Sequence, residues 1–364
     1  MRSFKPDVDF ILWTGDTILH LKPENINHQM NVDIFNNVTN LLKSTFPRTP
    51  VYPSFGNHDT DLTDQFEPRN TLLYNQAWSR WRSWINDDTQ EATCRKGGYY
   101  TVKASPYLRI IVLNTILYYK RNKQVTSDGD PAGQFRWLVE ALQYARKQKE
   151  KVIITAHIPL GVQPNGETEL YKHQNDRLIA ISNQYSDVIV AMHFGHEHTD
   201  AFKVLTDEKG VPTVPIFLAP SVTPLGYSLS HNPGIRLIKY NRITGLHLEI
   251  IQYYLDVEAA NIAGTASWEL EYTTSGAYGI KNLSPASLYS LVNRMKAADS
   301  QEFKSFWKHY VVTPPRSLYK ECESKCHARV FCRFTKLTES DFAKCLQEFD
   351  VDNIQKFWRW FFRR

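Results

Sequence analysis

The sequence predicts an α/β fold built around a layered sheet. Two observations carry this. Short continuous apolar runs recur along the chain, as suits strands buried on both faces. Helical segments stand between several of them, and alternation of this kind indicates strands and helices in packed layers.

The runs are DFILWTGD (9–16), PVYPSFGNHD (50–59), RIIVLNT (109–115), KVIITAHIP (151–159), DVIVAMHFGH (187–196) and VPIFLAPSVTP (214–224). The clearest helix covers 131–149, where Phe135, Leu138, Val139 and Leu142 form an apolar stripe and Asp130 stands as the N-cap. Residues 29–46 and 70–86 also read as helices. NPGIRLIKYN and LHLEIIQYYLDV read as later strands joined by a turn at Thr244-Gly245. Near residue 265 the character changes, and 284–312 follows a helical pattern. Residues 1–265 therefore read as a catalytic domain with a layered sheet. Residues 266–364 read as a smaller helical subdomain with disulfides.

Composition narrows the class. In 364 residues, 42% apolar and 22% charged content is ordinary for a soluble globular chain. The net charge of +5 is spread out, with no basic block, which argues against nucleic-acid polymers. No run reaches the ~18–20 apolar residues of a membrane span. MRSFKPDVDF has no apolar core of the kind a signal peptide needs, so the chain as written would start in the cytosol. Two features point the other way. Asn37-Val38-Thr39 and Asn282-Leu283-Ser284 are glycosylation acceptors, and four of the five cysteines cluster at Cys322, Cys326, Cys332 and Cys345. Their C-x3-C-x5-C-x12-C spacing lacks the paired C-x2-C hooks of a zinc knuckle, so disulfides are the favoured reading. Cys94 is left over. The final stretch IQKFWRWFFRR reads as a terminal helix packing its aromatics on the subdomain, with an interfacial membrane helix as the alternative.

Four apolar runs end in metal-ligand types. They give Asp16, then Asn57, His58 and Asp59, then His157, then His193, His196 and His198. Ligands in open α/β sheets bind at the carboxyl ends of strands, so these residues are placed to converge. One such residue alone is usually a turn former or a core histidine; four strands ending this way are not chance scatter. A carboxylate can bridge two ions, a carboxamide adds a neutral oxygen, and imidazoles suit zinc and similar ions. Two ions ~3.5–4 Å apart clamp a phosphoryl oxygen and supply hydroxide near neutral pH. In FGHEH, the spacing lets His196 and His198 share a face of an extended segment.

The order GD…GNHD…H…GHEH resembles that of the calcineurin-like metallophosphoesterases. WTGD followed by His20, GNHD, KGGYY, LNTILYY, DPAGQFRWL, AHIPLG, FGHEHTD, LAPSVTP and HNPGIRL narrow the resemblance to the acid sphingomyelinase-like phosphodiesterases, over nearly the whole chain. GHEHTDAF and WELEY lean slightly to the 3b over the 3a type.

The resemblance implies a layered β-sandwich flanked by helices, two zinc ions and hydrolysis of small phosphodiesters, phospholipid-like or nucleotide-like, by metal-activated hydroxide. Asp16 becomes the bridging carboxylate, with Asn57, His157 and His196 on one zinc and His198 on the other. His20 and His58 contact the phosphate and protonate the leaving group, and His193 matches no ligand position. The cysteine pattern implies Cys322–Cys326 and Cys332–Cys345 bridges, and a secreted or lysosomal protein, expected to be a monomer. The family opens its catalytic domain with an Asp-x-His strand. No such pair precedes Asp16, and Asp7 and Asp9 have no histidine two residues on. The expectation is an N-terminally incomplete chain that holds one zinc or fewer, with impaired activity as the alternative. A phosphomonoesterase is the other alternative, although Thr17-Ile18-Leu19-His20 stands where protein phosphatases carry Arg-Gly.

Overall fold

The computed structural model describes residues 8–18, 20, 27–224, 231–315, 318–323 and 325–349. The closing aromatic-basic stretch, and Asp7, lie outside the described residues. The chain forms two compact units, each discontinuous in sequence. The first comprises 1–159, 184–197 and 240–246; the second comprises 160–183, 198–239 and 247–364.

In the first unit, β1 (Ile11–Trp13) and β2 (Val51–Pro53) pair in parallel, with α1 (His28–Thr45) as the crossover. Asn27 caps α1 by accepting from the Gln29 and Met30 amides. After β2 come α2 (Leu72–Ile85) and α3 (Glu91–Gly97). Then β3 (Tyr100–Ser105) pairs antiparallel with β4 (Leu108–Val112). β4 pairs in parallel with β5 (Lys151–Thr155), and β5 in parallel with β6 (Ile189–Phe194). LRIIV and KVIIT are almost wholly buried, as strands at the centre of a sheet require. The expected strands at 9–16, 50–59, 109–115, 151–159 and 187–196 are therefore present but shorter, because each run's last residues leave the sheet as a loop.

The helix expected over 131–149 starts three residues later, as α4 (Gln134–Lys147). A short turn, Pro131–Gly133, precedes it, and Ala132 there has φ +56°. Asp130 still caps the helix from a distance, accepting from the Phe135 and Arg136 amides at 2.8 and 3.1 Å. An aromatic cluster lies behind the ends of β1 and β2. The Trp81 ring, fully buried on α2, sits 5.5 Å from Phe35, 4.9 Å from Phe55 and 6.4 Å from Trp13. Burial on this scale makes a rigid floor for the loops that follow both strands. Asn37 is exposed on α1. Cys94 is buried in α3 without a disulfide, and burial pushes its thiol up to about 12.

The second unit opens with α5 (Lys172–Gln184), whose last residue belongs to the first unit. β7 (Ala201–Thr206) and β8 (Pro212–Leu218) form an antiparallel pair. β9 (Gly234–Tyr240), β10 (His247–Leu255) and β11 (Trp268–Thr273) form a sheet in the order β11-β10-β9, with α6 (Val257–Ala263) between β10 and β11. The turn expected at Thr244-Gly245 is there, with Gly245 at φ +69°. Beyond it lie α7 (Thr274–Tyr278), α8 (Pro285–Arg294), α9 (Gln301–Tyr310) and α10 (Lys325–Arg333), then a helical segment over 339–349. The helical stretch expected over 284–312 is two helices, because Ser300 caps a new start by accepting from Phe303 N. Asn282 is half-buried, and its Oδ1 accepts from Ser284 N and Ser287 Oγ. Both expected disulfides are present, Cys322–Cys326 and Cys332–Cys345.

An acidic pair lies inside this unit, Asp200 buried and Glu271 half-buried. Asp200 takes a salt bridge from Arg236 at 2.8 Å and the Tyr272 hydroxyl at 2.7 Å. Glu271 accepts only Thr313 Oγ1, at 2.7 Å on Oε1; its Oε2 is buried with no partner among the described residues. Burial, then the Asp200 charge, pushes the Glu271 carboxyl up to about 8. Its ordinary value is 4.5, so the folded state holds a proton that the unfolded chain releases between those limits. Stability is therefore full below about pH 4.5 and falls as pH rises toward 8. Glu271→Gln keeps the acceptor for Thr313 and removes the titration. The variant is expected to melt above the parent at pH 8 and level with it at pH 4.5, by thermal unfolding. A constant offset at both pH values would rule out Glu271 as the source.

Candidate metal centre

Two glycine turns build the floor of the site. Trp13 O accepts from Ser54 N at 2.8 Å, which holds the ends of β1 and β2 together as both leave the sheet. Gly15 follows at φ +91°, and a Cβ there would lie 2.3 Å from Gly56 N. A Cβ on Gly56 would lie 2.1 Å from both Asp16 N and Asp16 Oδ1. TGD and GNHD thus pack backbone on backbone, a closeness only glycine permits.

Asp59 locks this contact. Its buried carboxylate accepts from Gly56 N at 2.7 Å, Asp16 N at 3.0 Å, Thr17 N at 2.7 Å and Ile18 N at 3.3 Å. Burial, with the Asp16 charge, pushes Asp59 up to about 6 against those backbone donors. Sequence reasoning grouped Asp59 with possible ligands. The structure gives it a different task, to hold Asp16 in a left-handed conformation at φ +54°. An acidic side chain closing a glycine turn is the local signal for this, but its four donors come from two separate loops.

Four electron-pair donors then converge. Asp16 Oδ2 lies 3.2 Å from His157 Nε2. Asn57 Oδ1 lies 3.1 Å from His157 Nε2 and 3.1 Å from His196 Nδ1. The two imidazole nitrogens are 3.3 Å apart. Two of the donors are aimed from behind by hydrogen bonds. His157 Nδ1 donates to Thr14 O at 2.6 Å, which leaves Nε2 as the lone-pair side of the neutral ring. Asn57 Nδ2 donates to Asp64 Oδ1 at 2.8 Å, which turns Oδ1 toward the histidines. The Tyr119 ring packs edge-on to His196 at 5.6 Å.

Lone pairs crowded at 3.1–3.3 Å repel unless a proton or a cation lies among them. A proton on His157 would partly relieve that repulsion. Burial alone would lower His157, but the Asp16 carboxylate wins and raises it. Asp16 in turn is held well below the usual range, because His157 and His20 outweigh its burial. A carboxylate, a carboxamide and two imidazoles match the donors of zinc-type divalent ions. These residues fit a metal ion.

Residues 2–200, more than half of the chain, match the family described as calcineurin-like phosphoesterase. The chain belongs to the calcineurin-like phosphoesterases. Residues 211–352 match the acid sphingomyelin phosphodiesterase C-terminal region, which places this phosphoesterase in the acid sphingomyelinase-like group. It is 37% identical to the bovine cyclic GMP-AMP phosphodiesterase SMPDL3A over 94% of this chain and 77% of that one. It is 32% identical to human acid sphingomyelinase-like phosphodiesterase 3b over 95% and 77%, and 34% identical to sphingomyelinase phosphodiesterase C of Dictyostelium discoideum over 93% and 78%. Identity is thus higher to the 3A relative than to the 3b one, against the slight lean of the short motifs. The relatives are named phosphodiesterases, and this phosphoesterase is a phosphoric diester hydrolase of their family.

The remaining expected residues of the phosphoesterase are placed as follows. His20 and His58 stack with ring centroids 3.7 Å apart, and His20 Nε2 lies 3.3 Å from Asp16 Oδ2. Burial pushes His58 down to about 4, against the pull of Asp16. His58 N also donates to Asp16 Oδ1 at 2.9 Å. His193 stays buried in β6, its carbonyl accepting from Ala156 N at 3.0 Å, and no metal-ligand group found among the described residues includes it. Asp9 is committed to Arg242 and Tyr240. His198 is buried in the second unit, its ring 6.2 Å edge-to-face from His231.

One expectation needs correcting. His196 and His198 do not project from an extended segment. Both have positive φ, +68° and +59°, so the chain coils after Gly195 and alternation along a strand does not apply. Turns of this kind cost conformational energy and persist where surrounding contacts fix them. Here Gly195 N donates to His157 O at 3.0 Å, which sets the start of the coil against the neighbouring strand end.

Proposed function

We propose that the protein is a zinc-dependent phosphodiesterase acting on small, nucleotide-like or phospholipid-like diesters. The observation that carries this is the convergence of Asp16, Asn57, His157 and His196 on one point, with His157 and Asn57 each oriented by a hydrogen bond behind it. Zinc bound there would supply the positive charge that activates water and offsets charge on the phosphoryl oxygens. Asp16 is the assigned bridging carboxylate, and His198 is assigned to a second ion. His20 and His58 face the same carboxylate without joining the four-donor cluster. Their stacked rings stand beside that carboxylate, where an imidazole is placed to protonate the departing oxygen. Between the substrate classes, the name of the bovine relative, cyclic GMP-AMP phosphodiesterase, favours the nucleotide-like one.

The disulfides support an oxidising compartment, secreted or lysosomal, where glycosylation at Asn37 and Asn282 would occur. The protein is proposed to act as a monomer.

Hydrolysis rates on bis-p-nitrophenyl phosphate and p-nitrophenyl phosphate test the reading. We expect the diester to be cleaved with the higher kcat/KM, and cleavage to stop on chelation and return with zinc. A preference for the monoester would point to a phosphomonoesterase instead.

A further inference from the structure

Beside the metal centre, within the first unit, the loop after Tyr119 reads Lys120-Arg121-Asn122-Lys123. It carries three cations in four residues, and the next carboxylate along the sequence is Asp128. Asn122 fixes this loop. Its side chain is fully buried, which a carboxamide tolerates only when its hydrogen bonds are made. Nδ2 donates to Phe66 O at 2.9 Å and to Ile116 O at 3.1 Å. Oδ1 accepts from Phe66 N at 3.3 Å and Gln124 N at 3.1 Å. Gln65 adds a second brace, donating to Arg121 O at 2.8 Å and accepting from Lys123 N at 2.9 Å. Both braces come from the segment after GNHD. That segment also supplies Asp64, the partner that orients the proposed ligand Asn57. The basic loop is therefore tied to the loop that builds the metal centre.

Arg121 is exposed, and its guanidinium lies over the Tyr119 ring, 5.9 Å from the centroid. The same ring packs edge-on to His196 at 5.6 Å. One buried tyrosine thus carries the arginine on one contact and a proposed metal ligand on another. Lys123 is turned back on its own loop, its Nζ donating to Lys120 O at 3.0 Å. A guanidinium resting on an aromatic face, on a backbone held by hydrogen bonds, loses little freedom when it binds. Its planar fork matches two oxygens of a phosphate or phosphonate group. The scissile phosphate belongs to the metal centre, so the anion left for Arg121 is a second one on the same molecule.

We propose that Arg121 is a specificity-determining residue that binds a second phosphate of the substrate, so that diesters carrying a further phosphate are preferred. The place of the scissile group rests on the phosphodiesterase reading.

The test uses the zinc-loaded full chain and two diesters with the same scissile bond, p-nitrophenyl propyl phosphate and p-nitrophenyl 3-phosphonopropyl phosphate. The parent is expected to show a kcat/KM roughly tenfold higher for the phosphonate-bearing ester, the scale of hydrogen bonds to charged groups. Arg121→Gln should bring that ratio close to one. Lys123→Gln, which removes a neighbouring charge, should keep the parent's ratio. A parent without preference would overturn the proposal, as would a preference that survives Arg121→Gln. An equal loss in Lys123→Gln would mean diffuse attraction and overturn it too. Binding to phosphatidylglycerol vesicles that is lost in Arg121→Gln, with the ratio intact, would overturn it in favour of a lipid surface. Calorimetry with propyl phosphate and 3-phosphonopropyl phosphate separates the two readings. Tighter binding of the second by the parent but not by Arg121→Gln, with neither ester hydrolysed, would support the arginine site and sink the phosphodiesterase reading instead.

Discussion

His196→Ala is expected to abolish diester hydrolysis and to strip the protein of tightly held metal. His196 Nδ1 is the member of the cluster that meets both Asn57 Oδ1 and His157 Nε2, at 3.1 and 3.3 Å. Without it the remaining donors are a carboxylate, a carboxamide and one imidazole, and a three-donor remnant holds an ion weakly. Losing a group that only supports a ligand costs about 10–100-fold, so losing the ligand should exceed that. The fold should survive. His196 follows β6 in a coil whose first amide is still bonded to His157 O, and its ring is partly exposed. His193→Ala is the control. It removes a buried imidazole three residues away that joins no ligand group found among the described residues, and most activity should remain. Steady-state rates and circular dichroism of both variants check this. Equal losses would mean that both histidines act through packing.

Gly56→Ala should be nearly as damaging, although it deletes no functional group. The added methyl would lie 2.1 Å from Asp16 Oδ1, well inside van der Waals contact, and the atoms in the way are backbone and the proposed bridging carboxylate. Relief requires the TGD and GNHD loops to separate. That breaks the Asp59 clasp and moves Asp16 relative to Asn57 and His157. A displacement of ~1 Å at a reacting centre typically costs ~100-fold in rate. Overpacking a tight contact adds about 1–3 kcal/mol of destabilisation. Urea unfolding and kcat/KM measured together separate the two effects. Parent-like activity in a folded Gly56→Ala would show that the loops are not held as closely as the structure indicates.

The parallel core strands were legible because their side chains are buried on both faces and the runs are continuous. The site residues were legible because each ends such a run. Other features left weaker traces. α5 was missed because the face it buries carries Gln174, Asn175 and Ser182, so apolar periodicity is nearly absent. β3 was missed because only its first half is buried, and it lies at the edge of its sheet. The orientation of His196 and His198 depends on two positive φ angles that a β-like reading of FGHEH excludes. Asp59, Asp64 and Thr14 matter through hydrogen bonds to backbone or to a neighbouring donor. Such roles depend on which loops meet, and the sequence order does not say which do.

The central claim is that Asp16, Asn57, His157 and His196 hold a divalent metal ion. Metal content by mass spectrometry tests it most directly, on the purified chain dialysed against zinc and then against metal-free buffer. The account predicts at least one zinc per chain in the parent and its loss in His196→Ala. A parent that retains no zinc, or a His196→Ala variant that retains as much as the parent, would contradict it.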